Sequence, residues 1–493
     1  MTRYCCIILL LTYIVMSCKP TNDKPLVQHP DKPNVVFISI DDLRPELGCY
    51  GNPIIMTPNI NNLAAEGHVF KRHYVQVPTC GASRYSLLTG FRPKAKIYLN
   101  NNIFETEVAN KKEQDRPESF IHHLRRQGYH TVGIGKISHS ADGLVYGYEE
   151  EVSTKRELPY SWDELLFNSG KWETGWNAFF GYASGENRQI LNRQVKPYEA
   201  AEVDDLGYPD GLIAKAAVEK LKHLADLNQP FFLGVGFFKP HLPFNAPKQY
   251  WDMYQRESMP LAPDSFISKD INSASLHNSG EFNGYKLGDE MASLNKAVSD
   301  EYAKKLIHAY YAAVSYIDAQ VGLVIKEIES LNLSDNTIVV IWGDHGWHLG
   351  NDRVWGKHTL FETALKSALI IKVPGGITGT SDAIVETVDL YPTILELCQI
   401  ELHHEVDGDS FAGILKDNIK LKDDVAYSYF KNGISMRTDR YRLTKYYRTA
   451  EPTIELYDHH NDPYESENIA PNNIELLEKL LPILEKGNTG LYL

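Results

Sequence analysis

The 493-residue sequence has few cysteines, no excess of basic residues and no N-terminal apolar run long enough to cross a bilayer. Three of its six cysteines fall within the first 18 residues, which excludes a dense disulfide framework in the rest of the chain. The sequence still allows a single disulfide bond between Cys49 and Cys398. Lys and Arg number 50 against 64 Asp and Glu, and the net charge of −14 argues against nucleic acid as a partner. A hydrophobic fraction of 43% excludes a disordered chain.

The first 17 residues have the pattern of an export signal. Arg3 precedes an apolar run over residues 5–16, which is shorter than the about 20 residues that span a bilayer and fits the apolar region of a signal peptide. Residues 15–18 resemble a bacterial lipobox, with the small Ser17 before Cys18. We therefore expect a lipoprotein signal over 1–17, a lipid anchor on Cys18 and a location in the periplasm or on the outer membrane or cell surface. An ordinary secretory signal with an incidental cysteine is the alternative.

The remaining chain predicts a polar tether over 18–32, a large domain over 33–417 and a smaller subdomain over 418–493. Short apolar runs alternate with helical patterns in the large domain, which predicts an α/β fold with a largely parallel sheet. After about residue 417 the pattern changes to short antiparallel strands over 427–447 and a final helix over 474–484. We predict strands over 35–40, 131–134, 231–238 and 337–342, a long amphipathic helix over 306–328, and a loop-like excursion over 258–298 on the substrate side.

Residues that can bind a cation or transfer a proton follow each of these four strands. Because open α/β sheets bind ligands outside the carboxyl ends of their strands, the four ends predict one shared pocket. Adjacent carboxylates repel each other unless a cation or proton intervenes, and a hard divalent cation with oxygen ligands satisfies them. Helix capping or a buried core histidine is the alternative for each pair alone. In chain order the residues are Asp41, Asp42, Lys136, His139, His241, Asp344 and His345.

The segment from Cys80 to Gly90 predicts a helix that begins at the cysteine and ends at the glycine. Arg84 follows Cys80 by one helical turn and lies on the same face. Position 80 would then occupy the positive end of the helix, where free N–H groups favour an anion. A buried cysteine beside a surface arginine is the alternative that these two residues alone leave open.

Together these motifs resemble the type I sulfatases. Cys80-Gly81-Ala82-Ser83-Arg84, followed by Leu88-Thr89-Gly90, is similar to the signature of that family, in which the cysteine is converted to Cα-formylglycine after translation. The similarity covers nearly the whole exported chain and is greatest to iduronate-2-sulfatases and their bacterial polysaccharide-degrading relatives. Further matches are Gly135-Lys136, Lys239-Pro240-His241, Gly343-Asp344-His345-Gly346 and Trp355-Gly356-Lys357.

The resemblance implies an alkaline-phosphatase-like fold, with a large mixed, mostly parallel sheet flanked by helices and a smaller C-terminal α+β subdomain of antiparallel sheet plus helix. It implies a sulfuric ester hydrolase with its catalytic domain over 33–417, matured by a formylglycine-generating enzyme. The expected substrate is a sulfated polysaccharide or its oligosaccharides, either a 2-O-sulfated uronic acid or an algal polysaccharide such as ulvan. Asn351 and Asp352 replace an acidic-histidine pair of the human-type enzymes, in a region that faces the sugar in relatives.

Residue roles also follow from the resemblance. Residue 80, as a hydrated formylglycine, attacks sulfur, and its second hydroxyl allows the sulfate to be ejected, which the sulfate ester of an ordinary serine does not. One Ca²⁺ ion is bound by Asp41, Asp42, Asp344, His345 and residue 80. His241 is the acid that protonates the leaving oxygen, His139 is the base, Lys136 and Lys357 hold the sulfate, and Arg84 orients the diol. His348, His358, Trp347 and Trp355 are candidate sugar contacts, with core packing as the alternative for the tryptophans.

Two other functions compete with this interpretation. The first is a phosphodiesterase or phosphonate hydrolase of the same superfamily, although such enzymes tend to use a second metal or a transition metal. The second is a non-catalytic glycan-binding lipoprotein, which predicts an unmodified Cys80.

Overall fold

A sheet of nine strands forms the centre of this computed structural model, which describes residues 32–417, 419 and 425–492. The predicted signal over 1–17, Cys18 and all of the tether except Lys32 lie outside the described residues. The strands are β1 (Asn34–Ile40), β2 (His68–Tyr74), β3 (His130–Gly135), β4 (Glu164–Leu166), β5 (Tyr198–Ala201), β6 (Phe231–Phe237), β7 (Phe244–Pro247), β8 (Thr337–Gly343), β9 (His348–Leu349), β10 (Trp355–Gly356), β11 (Lys366–Ser367), β12 (Leu369–Lys372), β13 (Gly379–Glu386), β14 (Ala426–Phe430), β15 (Gly433–Arg437), β16 (Tyr441–Tyr446) and β17 (Thr453–Asp458).

Helices cover the sheet on both faces and complete the C-terminal region. The longest, α7, contains the predicted amphipathic stretch over 306–328 and buries its apolar side in the larger core. The helices are α1 (Pro58–Glu66), α2 (Cys80–Thr89), α3 (Phe120–Arg126), α4 (Gly175–Phe179), α5 (Pro209–Leu224), α6 (Lys248–Trp251), α7 (Asp300–Ser330), α8 (Glu362–Leu365), α9 (Leu390–Leu397), α10 (Ala412–Asp417) and α11 (Ile474–Lys486).

The main sheet runs in the order β11-β2-β12-β8-β1-β6-β3-β4, and β13 pairs with β2. Strands β8, β1, β6, β3 and β4 are parallel, whereas β12 is antiparallel to both of its neighbours. In β1, Val36 and Ile38 pack into one core while Val35 and Phe37 pack into the core on the opposite face. A strand covered on both faces is apolar at every position, so β1, β3, β6 and β8 match the predicted strands to within one residue at each end.

The C-terminal region forms a separate antiparallel sheet in the order β14-β15-β16-β17. Helix α11 packs on this sheet through Leu477, Leu480 and Leu484. The predicted strands over 427–447 and the predicted final helix are confirmed, and β17 is an addition to them. The boundary at residue 417 stays a prediction, because residues 418 and 420–424 lie outside the described residues.

The cysteines of the described chain are not linked to one another. Cys49, Cys80 and Cys398 are all free, so the bridge between Cys49 and Cys398 does not form. Within residues 32–417, 419 and 425–492, none of the helices combines the length and the apolar character that crossing a membrane requires.

Candidate active site

The carboxyl ends of β1, β3, β6 and β8 bring the predicted site residues together at one edge of the sheet. Ile40, the last residue of β1, pairs with Phe237 of β6 and with Gly343 of β8. Gly135 of β3 pairs with Gly236 of β6. Because the carboxyl ends of these parallel strands are level with one another, the residues that follow them meet just beyond this edge of the sheet.

Asp41, Asp42 and Asp344 form a group of fully buried carboxylates at this edge. The backbone N–H of Asp42 donates to Asp344 Oδ1 at 2.9 Å, and Asp42 has a φ of +59°, which is a strained conformation for a residue with a side chain. Arg84 Nε donates to Asp344 Oδ2 at 3.0 Å, and Arg84 Nη2 lies 3.7 Å from Asp41 Oδ1. Arg84 Nη1 also donates to Ser39 Oγ at 3.1 Å, so this arginine lies behind the carboxylates and fixes them to β1.

The available cations do not neutralise this carboxylate group evenly. Burial, offset only in part by Lys357, raises the pKa of Asp42 well above its ordinary value, and burial together with the charge of Asp41 raises the pKa of Asp344. Against the effect of burial, Lys136 holds the pKa of Asp41 well below its ordinary value. Asp41 Oδ1 nevertheless has no hydrogen-bond partner among the described residues. The three cations therefore match the three carboxylates in number but pair with them unevenly, since Asp41 Oδ1 has no donor among the described residues and two of the carboxyl groups have raised pKa values.

Helix α2 places Cys80 directly beside these carboxylates. The helix begins at Cys80, and Gly90 ends it with a left-handed φ of +71°, as the sequence pattern predicts. Burial, with the charge of Asp41, raises the pKa of the Cys80 thiol to about 12, so the thiol is protonated at neutral pH.

His345 completes the surroundings of the Cys80 sulfur. Its Nε2 atom lies 3.3 Å from Cys80 Sγ, and its Nδ1 atom lies 3.0 Å from the Gly346 carbonyl oxygen. A neutral ring that donates from Nδ1 to this carbonyl presents the lone pair of Nε2 to position 80. Ligand atoms of Asp41, Cys80, Asp344 and His345 all lie within 4.8 Å of one another, which is a spacing that could hold a metal ion.

Two buried lysines approach the carboxylates from the cavity side. Lys136 Nζ lies 2.5 Å from Asp41 Oδ2, and Lys357 Nζ lies 3.0 Å from Asp42 Oδ1. Lys136 reaches this position because β6 has a glycine beside it: a Cβ atom at Gly236 would lie only 2.2 Å from the Lys136 carbonyl oxygen. Both lysines line the same cavity as Cys80.

His241 is bound to a glutamate that the motif analysis did not single out. Its Nδ1 atom lies 2.7 Å from the Leu242 carbonyl oxygen, and its Nε2 atom lies 2.9 Å from Glu281 Oε1. Burial lowers the pKa of His241 to about 4. Both ring nitrogens nevertheless face acceptors, which is the geometry of a doubly protonated ring, and Glu281 stabilises that form. Glu281 Oε2 also lies 3.4 Å from Lys357 Nζ.

His139 lines the same cavity as His241. Its ring is 5.3 Å from the Trp176 ring, and its Nδ1 atom has no hydrogen-bond partner among the described residues. Burial and the charge of Lys136 lower its pKa well below the ordinary value, so the ring is neutral and can accept a proton. The cavity, of about 240 Å³, is lined by Cys80, Lys136, His139, His241 and Lys357, together with Glu281, His358 and several aromatic side chains.

Comparison with known families identifies the class of this site. The sequence model of the sulfatase family matches residues 33–400, and that of the C-terminal region of N-sulphoglucosamine sulphohydrolase matches residues 343–486. The chain belongs to the sulfatase family. It is therefore a hydrolase of sulfate esters, as the resemblance of the Cys80 segment implied.

Curated relatives of this sulfatase match along much of its length. A sulfatase of Formosa agariphila is 32% identical over 98% of this chain and 92% of its own length. The mouse iduronate 2-sulfatase is 30% identical over 70% of this chain and 60% of its own length. An ulvan-active sulfatase of Formosa agariphila is 27% identical over 94% of this chain and 82% of its own length.

The fold of this sulfatase also occurs in an enzyme that is named for a different activity. The phosphonate monoester hydrolase of Silicibacter pomeroyi matches with a TM-score of 0.71 and 22% identity, over 93% of this chain and 95% of its own. This likeness confirms the alkaline-phosphatase-like fold, but the fold alone does not distinguish sulfate from phosphonate esters.

Several candidate sugar contacts of this sulfatase lie outside the cavity. Trp347 and Trp355 are buried in the core, and His348 is fully buried, with Nε2 at 2.8 Å from Thr359 Oγ1. His358 lines the cavity.

The substituted pair at 351 and 352 is also buried: Asn351 donates to Asp264 at 2.6 Å, and Asp352 accepts from Ser268 at 2.7 Å. This pair therefore anchors the 258–298 excursion.

Proposed function

We propose that this sulfatase removes sulfate from a sulfated polysaccharide or its oligosaccharides, with a 2-O-sulfated uronic acid or an algal polysaccharide such as ulvan as the substrate. Support for this substrate class comes from the names of its relatives, which include an iduronate 2-sulfatase and an ulvan-active sulfatase. The observation that carries the proposal is the cavity itself, which two lysines and three histidines line together with residue 80.

Conversion of Cys80 to formylglycine is the second part of the proposal. A thiol with a pKa of about 12 is a poor nucleophile at neutral pH, and sulfur is a poor ligand for a hard cation. The neighbours of Cys80 are nevertheless mostly carboxylate oxygens. An aldehyde hydrate places two hydroxyl groups at this position, one to attack sulfur and one to be deprotonated so that the sulfate ester collapses.

The donor set fits Ca²⁺. The three buried carboxylates supply hard oxygen ligands, and one of these oxygens, Asp41 Oδ1, has no hydrogen-bond partner among the described residues. His345 is the least typical ligand for this ion, although its Nε2 atom faces residue 80. Calcium, when bound, supplies positive charge that lowers the pKa of the diol and stabilises negative charge on the sulfate. The residues that would hold the ion are Asp41, Asp42, Asp344, His345 and residue 80.

The remaining residues then move protons and hold charge. In its protonated form, which the contact with Glu281 favours, His241 donates to the oxygen of the leaving sugar, and the neutral His139 accepts the proton of the second hydroxyl. Lys136 and Lys357 stabilise the sulfate oxygens in the cavity that both lysines line. Arg84 contributes by holding Asp344, from behind the carboxylates.

Two measurements on one preparation test this proposal. The protein is produced in a host that contains a formylglycine-generating enzyme, residue 80 is characterised by peptide mass spectrometry, and released sulfate is measured on 2-O-sulfated uronate oligosaccharides and on ulvan fragments. We expect an aldehyde at residue 80, turnover on at least one substrate and no turnover by Cys80→Ala. Full activity from material with an intact thiol would overturn the formylglycine step.

A phosphonate or phosphodiester substrate is the second candidate, because the fold is shared with a phosphonate monoester hydrolase. The same preparation is assayed with 4-nitrophenyl sulfate and with 4-nitrophenyl phenylphosphonate. A higher kcat/KM for the sulfate supports the first proposal, and a higher value for the phosphonate supports the second.

We further propose that residues 1–17 direct export and that Cys18 carries a lipid anchor. Only the sequence pattern supports this step, since both lie outside the described residues. Incorporation of labelled palmitate into the wild type but not into Cys18→Ala is the expected result, and equal labelling would contradict it.

A further inference from the structure

The cavity contains a second pair of cationic side chains that the proposed mechanism does not use. Arg188 and Arg193 line the same cavity as Cys80. Lys136 and Lys357 are each paired with an aspartate of the carboxylate group. Within the described part of the chain, by contrast, neither arginine makes an ion pair with a carboxylate. Their positive charge is therefore available to a ligand.

Arg188 is held in a fixed position. It is only 7% exposed, its Cζ atom lies 3.5 Å from the centre of the Phe180 ring, and it is 5.4 Å from the ring of Tyr285. Its Nε donates to Gln189 Oε1 at 2.8 Å, a neutral acceptor. Burying a guanidinium without an anion costs free energy, although the aromatic faces offset part of that cost. An anionic ligand would supply the missing partner.

A tight turn brings Arg193 to the same side as Arg188. The Arg193 N–H donates to the Arg188 carbonyl oxygen at 2.8 Å, and the buried Asn187 accepts from two backbone N–H groups within the turn. Asn192 and Arg193 both have left-handed φ values, of 50° and 62°, which cost free energy in residues other than glycine. The Lys286 N–H binds the Arg193 carbonyl oxygen and ties the turn to the 258–298 excursion.

We propose that Arg188 and Arg193 form a subsite for a second anionic group of the substrate, beside the sulfate that is removed. This inference rests on the proposed function and specifies its substrate class: a sugar that carries a carboxylate or a further sulfate. The planar guanidinium donates two parallel hydrogen bonds to either group. Glu281, an acidic side chain that lines the cavity, is already bound to His241 and Lys357.

The test compares substrates that differ only in the second anion. Wild type, Arg193→Gln and Arg188→Lys are assayed on a 2-O-sulfated uronate disaccharide, on the same disaccharide with its carboxylate reduced to an alcohol, and on a disulfated neutral sugar. Arg126→Gln, which changes an exposed arginine remote from the cavity, is the matched control. Thermal unfolding of each variant checks that it is folded, and Arg188→Lys retains a charge at the buried position.

The decisive quantity is the ratio of kcat/KM for an anionic substrate to that for the reduced one. We expect each cavity variant to lower this ratio about tenfold or more, mainly through KM, and the control to leave it unchanged. A fall on the uronate alone identifies a carboxylate subsite, and a fall on the disulfated sugar alone identifies a sulfate subsite. A ratio that does not change while wild type hydrolyses the sulfates would overturn the subsite, whereas no sulfate release by wild type would instead overturn the proposed function.

Discussion

Two buried charge clusters of this sulfatase differ in how completely their carboxylates are paired. The C-terminal charge cluster consists of Glu362, Arg437, Arg442, His459 and Glu465. Arg442 lies 2.5 Å from both glutamates, Arg437 lies 3.1 Å from Glu362, and His459 lies 2.9 Å from Glu465. Although burial opposes it, these partners lower the pKa of both glutamates. Every glutamate in this cluster has a cationic partner.

The second cluster, which we call the catalytic charge cluster, consists of Asp41, Asp42, Asp344, Arg84, Lys136 and Lys357. Its carboxylates are paired incompletely. Burial raises the pKa of two of its three aspartates, Asp42 and Asp344. Asp41 Oδ1 has no hydrogen-bond partner in the described part of the chain, and Lys357 also forms an ion pair with Glu281. Buried charge alone therefore does not mark a functional site, since both regions contain it. Buried carboxyl groups with raised pKa values beside an unpartnered carboxylate oxygen do, because a bound cation would correct both.

The largest expected effect is on activity, from Asp344→Asn in the catalytic charge cluster. We expect kcat/KM for sulfate release to fall at least about 100-fold, because a ligand and a charge of the proposed ion site are lost. Metal-free stability should stay equal or rise, because one of several repelling carboxylates is removed. Sulfate release and urea unfolding in EGTA measure the two quantities.

The control for this prediction is Asp226→Asn, at an exposed position. A large loss of metal-free stability in Asp344→Asn would contradict the comparison, since it would give this aspartate the structural role that the C-terminal charge cluster has.

The second prediction concerns stability and the C-terminal charge cluster. Arg442→Leu leaves Glu362 and Glu465 buried without their main partner, so we expect the free energy of unfolding to fall by about 3–5 kcal/mol. Urea unfolding measures this change. Arg440→Leu is the matched control, because Arg440 is an exposed arginine that pairs with Asp458, and its effect should be much smaller. Equal losses in the two variants would show that the buried pairing does not stabilise the fold.

The third prediction separates the clusters by their response to calcium. Binding to the folded state at 100 times the dissociation constant stabilises by about 2.7 kcal/mol. We expect added Ca²⁺ to raise the melting temperature of EGTA-treated wild type and of Arg442→Leu, but not that of Asp344→Asn. Differential scanning fluorimetry with Mg²⁺ as the control ion measures this. A shift retained in Asp344→Asn would place the ion elsewhere.

Much of the site could be predicted because it follows local rules. Strands that are buried on both faces are apolar throughout, so their ends are visible in the sequence, and Asp41 and Asp344 follow such ends directly. Helix α2 was equally visible, because Gly90 ends it in a left-handed conformation.

The rest depends on contacts between distant segments. Glu281 comes from a stretch without long regular elements and reaches His241 only in the folded chain. Arg188 lies in an irregular turn and resembles an ordinary surface arginine in the sequence. Arg442 and Glu362, in the C-terminal charge cluster, are 80 residues apart, and no local pattern links them.

The smallest expected effect is the pH dependence of stability. The folded pKa of Glu465 is lowered by Arg442, so its stabilisation is present above the ordinary value of 4.5 and is lost as the pH falls through the folded value. Asp344 has a raised folded pKa, so in metal-free protein its contribution has the opposite sign: stability is greatest when the group is protonated and declines as the pH rises.

Glu465→Gln should therefore be less stable than wild type by about 1–2 kcal/mol at about pH 7, and this gap should shrink at about pH 4. Any excess stability of Asp344→Asn should shrink over the same interval. Urea unfolding in EGTA at both pH values measures the two gaps, and if the Glu465→Gln gap were independent of pH, ionic pairing would not be what distinguishes the C-terminal charge cluster from the catalytic one.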